Sequence, residues 1–359
     1  MPHLRHLPVL ATMLVWLFGI LGCERAEQSL YDRAAEQAAR ADNEQWLGDS
    51  AIHVFLCGTG TPLADRERAG ACTAVIAGGK FFLVDVGPGA WENVQLWRLP
   101  RAKLTGVLLT HYHSDHIGDL GEVTTQSWIA GRRGPLDVYG PPGVVQVAGG
   151  FRAAYALDAQ YRVAHHSEAM MPPAGSALVA RTIELTDPGE IATVYEADGL
   201  RVTAFAVDHQ PVAPAYGYRF DYQGRSLVIS GDTAKSDNLA RHATGADLLI
   251  HEALAAHMIG RLSDTLRQRG VERLAKLTAD IVDYHATPVE AAQIAAAAKV
   301  KMLVLTHLVP APANALLRRV FLQGVAEVWD GEVVLGEDGM HFRLPAGGEG
   351  RIEQDKLDS

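Results

Sequence analysis

The sequence predicts a mixed α/β domain, with sheets covered by helices, starting near residue 51. Three observations carry that expectation. Short apolar runs of strand length, separated by turn residues, begin at Ile52. Amphipathic and Ala-rich helical stretches appear between the later runs. The order is strands first, then strands alternating with helices, which is the pattern of sheets that bury one face under helices. With 359 residues, 48% of them hydrophobic and 21% charged, the chain has ample material for a large core.

Ile52–Cys57 reads as a strand that ends in Gly58-Thr59-Gly60. Cys72–Ala77 and Phe81–Val86 read as two more, joined at Gly78-Gly79, a hairpin turn signal. Val107–Thr110 is a short buried strand. Leu136–Tyr139, Arg201–Val207, Tyr216–Tyr222, Ser226–Ser230, Asp247–His251 and Met302–Thr306 are further strands. Ile117–Ala130, Gly143–Leu157 and Pro288–Ala298 are the clearest helices. The last has a start signal in Thr287-Pro288, a capping hydroxyl followed by proline at the first helical position. His165–Val194 has the weakest pattern and reads as an insertion or long loop. Residues 345–359 read as a polar, mobile tail, so the domain is expected over 51–344.

Residues 1–23 read as an address. A polar start with Arg5 leads into an apolar run of roughly fifteen residues, short for a membrane span and right for a signal-peptide core. The run ends in Ile20-Leu21-Gly22-Cys23, which resembles a bacterial lipobox. That implies lipidation at Cys23, export and a periplasmic, membrane-anchored protein. Residues 24–50 are polar, Ala-rich and acidic, as expected of a tether or a loosely packed helix. The remaining cysteines, Cys57 and Cys72, are open to two readings: one disulfide in an exported protein, or two small buried residues on neighbouring strands. The net charge of −10 with no basic stripe disfavours a polyanionic partner such as RNA.

The chemistry lies in His111-Tyr112-His113-Ser114-Asp115-His116, placed between a strand and a helix. At a strand end His111 and His113 point to one side, and after the turn Asp115 and His116 face a second point nearby. Imidazole and carboxylate suit Zn²⁺, and the order is a geometry for two adjacent metals. His209, Asp232 and His307 each follow another apolar strand.

This pattern resembles the metallo-β-lactamase superfamily, of which H-x-H-x-D-H is the signature, over roughly residues 52–342. The resemblance implies a four-layer αββα sandwich with metals at one sheet edge. It implies that His111, His113 and His209 bind one zinc, Asp115, His116 and His307 the other, and Asp232 bridges them. Mn²⁺ or Fe would also suit these ligands. Asp115 counts as catalytic as well as ligating, and a hydroxide between the metals would be the nucleophile. Asp85, in Leu83-Val84-Asp85-Val86-Gly87, would support the metal loop. Gly58–Pro62, His209 with Gly217-Tyr218, His251-Glu252-Ala253 and His285-Ala286-Thr287 resemble the ribonuclease Z and arylsulfatase-like branch, though Ala286 departs from its H-S-T segment. His285 would then protonate the leaving oxygen, and His251 would support the metal shell or be structural.

The export signal, and a run from His209 to Asp232 too short for a substrate-gripping arm, argue against tRNA maturation. The expected substrate is therefore a small anionic ester, a phosphodiester or aryl sulfate. A lactonase, a zinc β-lactamase and a non-catalytic metal-binding protein rank lower, the last because all seven ligands are retained. A homodimer is expected by the same resemblance.

Overall fold

The structure is a computed structural model that describes residues 28–36, 39, 41–348 and 350–357. The signal segment and Cys23 lie outside the described residues. The chain divides into two units, residues 1–42 and 43–359. In the first, an exposed helix α1 spans 28–36.

The second unit carries fifteen strands among the described residues. An eight-stranded sheet contains β1 (Ile52–Gly58), β2 (Cys72–Ala77), β3 (Lys80–Val84), β4 (Leu104–Leu108), β5 (Leu136–Gly140), β6 (Leu178–Thr182), β14 (Met340–Leu344) and β15 (Glu353–Lys356). Its order is β15-β14-β1-β2-β3-β4-β5-β6. A seven-stranded sheet contains β7 (Ile191–Ala197), β8 (Leu200–Val207), β9 (Ala215–Tyr222), β10 (Arg225–Ile229), β11 (Leu248–Leu254), β12 (Met302–Val309) and β13 (Glu332–Leu335). Its order is β13-β12-β11-β10-β9-β8-β7.

The two sheets meet in one apolar core. Val54, Val75 and Phe82 of the first pack with Val202, Phe220, Leu227 and Val304 of the second. Helices cover the outer faces. On the first sheet lie α2 (Ala90–Leu96), α3 (Ser114–Ile117), α4 (Leu120–Ile129) and α5 (Val144–Ala154), with α6 (Ala156–His166) beside α5; on the second lie α7 (Asp237–His242), α10 (Pro288–Ala298), α11 (Ala315–Phe321) and α12 (Val325–Val328). This is the αββα arrangement that the resemblance implied. Strands buried on both faces explain the near-continuous apolar runs of β1, β2 and β11.

Several elements differ from their sequence reading. The single helix expected over Gly143–Leu157 is two, broken at Tyr155, whose ring lies over Gly121 and whose hydroxyl donates to Glu122 at 3.1 Å. The second continues to His166, and the expected long loop also supplies edge strands β6 and β7. Residues 43–50 pack on the domain, with Trp46 set edge-on to Phe55 at 4.9 Å and Asp49 accepting from Arg343 at 2.8 Å. After Leu344 the chain turns back and β15 pairs antiparallel with β14, beside buried Ile352. Cys57 and Cys72, at the ends of β1 and β2, are joined by a disulfide. Thr287 caps α10 in a reciprocal box: its hydroxyl accepts from the Glu290 amide at 3.2 Å, and the Glu290 carboxylate accepts from the Thr287 amide at 2.8 Å.

Candidate metal centre

The site sits where strands of both sheets end. His111 and His113 follow β4, His209 follows β8, Asp232 follows β10, and His307 lies within β12. All seven predicted ligands converge. Ligand atoms of His111, His113, His209 and Asp232 lie within 4.8 Å of one another, as do those of Asp115, His116 and His307. Asp232 joins the groups: its Oδ2 is 3.4 Å from His116, 3.5 Å from His307 and 4.0 Å from both His111 and His209.

The backbone is bent to achieve this. His307 is the extra residue of a bulge, since Thr306 pairs with Glu252 while Leu308 pairs with Ala253. It and Asp85 adopt positive φ, 47° and 58°, a strained conformation for residues with a Cβ. The bulge swings His307 to the sheet edge. Gly87 is required by close approach: a Cβ there would lie 2.1 Å from the carbonyl oxygen of Asp115.

Asp85 organises the loop without joining the cluster. Its Oδ1 accepts from the Thr110 amide, and its Oδ2 accepts from the Thr110 hydroxyl and from His116 Nδ1, each at 2.8 Å. This fixes the proton on His116 Nδ1 and turns Nε2 inward. His209 is set the same way, its Nδ1 donating to the Tyr284 carbonyl at 2.8 Å. Such partners orient ligating imidazoles.

The donors fit metal ions. His116 Nε2 and His209 Nε2 face the cluster, buried without a hydrogen-bond partner among the described residues, and His307 Nε2 faces it 3.2 Å from Asp115. His111 Nε2 and His113 Nδ1 face each other at 3.0 Å, where only one of them can carry a proton. Buried lone pairs left unsatisfied are costly, and a cation resolves that cost. Burial, then the charge of His116, holds His111 well below its ordinary value, keeping it a neutral donor. Burial pushes the Asp232 carboxyl up, but His307 and His116 outweigh it and hold it well below the carboxylate range.

A second polar unit adjoins the cluster. Glu252, in apolar β11, accepts through Oε1 from His285 Nδ1, the Ala286 amide and the Thr233 amide at 3.0, 3.0 and 3.2 Å. His285 Nδ1 is 4.0 Å from Asp232 Oδ2. Burial lowers the His285 pKa, but Glu252 and Asp232 prevail and raise it to about 9. His285 is thus a proton donor at neutral pH. His251 hydrogen-bonds the Glu252 carbonyl at 2.6 Å and is not in the converging groups.

Sequence reasoning missed Glu252 as a functional residue, although a carboxylate inside the apolar run LLIHEAL was a usable signal. It also missed Tyr284, which acts on His209 through its backbone. A cavity of about 470 Å³ opens over the cluster, lined by His113, Asp115, Asp232, His285 and His307 and by apolar side chains.

Known proteins resemble this chain in sequence and in fold. Residues 80–308 match the beta-lactamase superfamily domain. The chain is 40% identical to ribonuclease Z of Mycobacterium marinum over 263 residues, 72% of this chain and 87% of that one. It is 38% identical to ribonuclease Z of Mycolicibacterium paratuberculosis over 298 residues, 80% of this chain and 96% of that one. Among solved structures, human tRNase Z, short form, aligns with a TM-score of 0.57 at 23% identity, covering 82% of this chain and 99% of that one. The metallo-beta-lactamase fold protein YhfI from Bacillus subtilis aligns at 0.58 and 21%, covering 82% and 99%. The chain belongs to the beta-lactamase superfamily and, within it, to the ribonuclease Z family, and it is a hydrolase of the metallo-β-lactamase fold.

These relatives correct two sequence expectations. A small phosphodiester or aryl sulfate ester, with nucleic acid disfavoured, is overturned by relatives named for a ribonuclease over most of the chain. The charge argument failed because net charge sums over the whole surface, whereas a polyanion meets only the local field at the site.

Proposed function

We propose that this protein is a metal-dependent ribonuclease that hydrolyses a phosphodiester bond in RNA, as the name of its relatives describes. The observation that carries the reading is the Glu252–His285 pair beside the seven-ligand cluster. It provides an acid where the cluster provides a place for metal. His111, His113 and His209 would hold one zinc ion, Asp115, His116 and His307 a second, with Asp232 between them. Metal ions bound there supply an activated water and offset the charge that develops on the phosphate.

The chain's own residues do the rest. Asp85 and Tyr284 hold the imidazoles of His116 and His209 in the ligating tautomer. Asp115, 3.2 Å from His307 and at the floor of the cavity, positions the attacking water by hydrogen bonding. His285 donates a proton to the leaving ribose oxygen, and Glu252 stabilises the charged imidazole before transfer.

Export with a lipid on Cys23 belongs to the same proposal. It is supported by the N-terminal sequence and by the Cys57–Cys72 disulfide, since disulfides persist in oxidising compartments. The test is cleavage of a tRNA precursor with a 3′ extension by the metal-loaded protein. Endonucleolytic cleavage that chelator abolishes and zinc restores is expected. RNA left intact by fully metallated protein refutes the reading.

A further inference from the structure

Between β11 and α10 the chain inserts a helical hairpin, α8 (Ala256–Gln268) and α9 (Glu272–Asp280). Little of it packs on a sheet. Its apolar side faces the cavity over the metal centre: Ile259, Leu262 and Leu266 of α8, Leu274 and Leu277 of α9, with Tyr284 just beyond. Leu63 forms part of the same lining from the loop after β1. Leu262, Leu274 and Leu277 remain 41%, 46% and 49% exposed, so they wall an open trough rather than a core. Exposed apolar surface that runs into a reaction centre marks a binding groove.

The hairpin is also cationic. Residues 256–280 carry five basic and three acidic side chains, a net +2 in a chain of −10. Arg267 pairs with Asp264 and Lys276 with Asp280. Arg261, Arg269 and Arg273 are exposed and form no ion pair among the described residues. Arg261 and Arg273 directly precede the trough residues Leu262 and Leu274, and Arg269 lies in the turn between the helices.

We propose that the α8–α9 hairpin is the RNA-binding face of this enzyme: its leucine trough receives the unpaired base of a nucleotide beside the scissile phosphate, and Arg261, Arg269 and Arg273 hold neighbouring phosphates. The proposal rests on the ribonuclease reading and specifies its substrate as RNA that is single-stranded at the cut. Two features favour this occupant. The trough is continuous with His285 and the cluster, so a group attached to the reacting phosphate can fill it. Its apolar wall and arginine rim also match the two halves of a nucleotide, a flat base and an anionic backbone. The hairpin would do the work of the arm that the short His209–Asp232 run has no room for.

The test uses the metal-loaded full chain and a hairpin RNA with a single-stranded 3′ extension. A base is removed on either side of the cleaved bond in turn. One of these abasic substrates is expected to lose about tenfold in kcat/KM, within the range for one base contact. Leu274→Ser/Leu277→Ser is expected to lose a similar factor on intact RNA and to show almost no further loss on that abasic substrate. Arg261→Ala/Arg269→Ala/Arg273→Ala is expected to reduce the slope of log affinity against log salt by about 2. No cleavage of any RNA sinks the ribonuclease reading itself. Cleavage that is indifferent to both bases, or losses that simply multiply, overturns the trough alone. Faster hydrolysis of a diacyl phosphodiester in anionic vesicles, lost in the leucine variant, would assign the trough to lipid and overturn the proposal.

Discussion

Asp85→Asn tests how far metal binding depends on a residue that touches no metal. Asp85 is 4% exposed and accepts three hydrogen bonds at 2.8 Å. Asparagine keeps the shape and one acceptor, which can stay on the Thr110 amide. The Thr110 hydroxyl can rotate to accept from the new amide nitrogen. His116 has no such freedom: with a donor opposite Nδ1, its proton must move to Nε2, the atom 3.4 Å from Asp232 that faces the cluster. A ligand in the wrong tautomer must be deprotonated before it can bind. Loss of such a supporting partner costs about 10–100-fold in metal affinity, or ~1.4–2.8 kcal/mol. Competition against a chromophoric chelator near neutral pH measures this for the weaker-bound ion, and thermal melts of the metal-free forms show that folding survives. Wild-type affinity in Asp85→Asn would refute the tautomer argument.

Other perturbations reach different parts of the account. His285→Ala should retain its metals yet turn over about a hundredfold more slowly if it supplies acid catalysis, as metal analysis and RNA cleavage rates will show. Glu252→Gln removes the charge that raises His285, so the alkaline limb of its pH–rate profile should move to lower pH; an unmoved limb would dissociate the pair. Gly87→Ala places a Cβ 2.1 Å from the Asp115 carbonyl and 2.4 Å from the Gly70 carbonyl carbon, so the metal loop must shift; a stability loss of about 1–3 kcal/mol is expected in denaturant titration, with weakened metal binding. Away from the site, burial, then the neighbouring His53, lowers the His341 pKa to about 4, so the folded state resists its protonation. Stability should therefore fall as pH drops from about 6.5 toward 4, and His341→Phe should flatten that fall in melts of chelated protein.

The metal cluster was legible because its first four ligands fall within six residues and the other three each follow an apolar strand, in the order the family resemblance implies. Both are local signals. The role of Glu252 was not, because it depends on the β11–β12 bulge that lets Glu252 and His307 face the same edge, and such a register shift comes from pairing across fifty residues. Tyr284 was invisible for a different reason: its contribution to His209 is a backbone carbonyl, which every residue possesses. Sheets covered by helices followed from strand and helix order and the four layers from the family resemblance, but edge strands β6, β7 and β15 followed from neither. Their exposed side chains lack the apolar runs that betray the central strands. The α8–α9 hairpin escaped notice because most of its apolar face lines the cavity and little of it packs on a sheet. Total charge was a poor guide to nucleic acid, since a local excess such as the five basic side chains of residues 256–280 vanishes into a sum of −10.

The central claim is that the seven-ligand cluster works with metal to direct water at an RNA phosphodiester. The most direct measurement is cleavage of an RNA with a 2′-deoxy residue at the scissile position, in heavy-oxygen water, by metal-loaded protein. Because the nucleophile is water rather than the neighbouring hydroxyl, the account requires cleavage to persist, heavy oxygen to appear in the product phosphate, and chelation to stop the reaction. Cleavage that needs the 2′-hydroxyl, leaves a cyclic phosphate or continues without metal would contradict it.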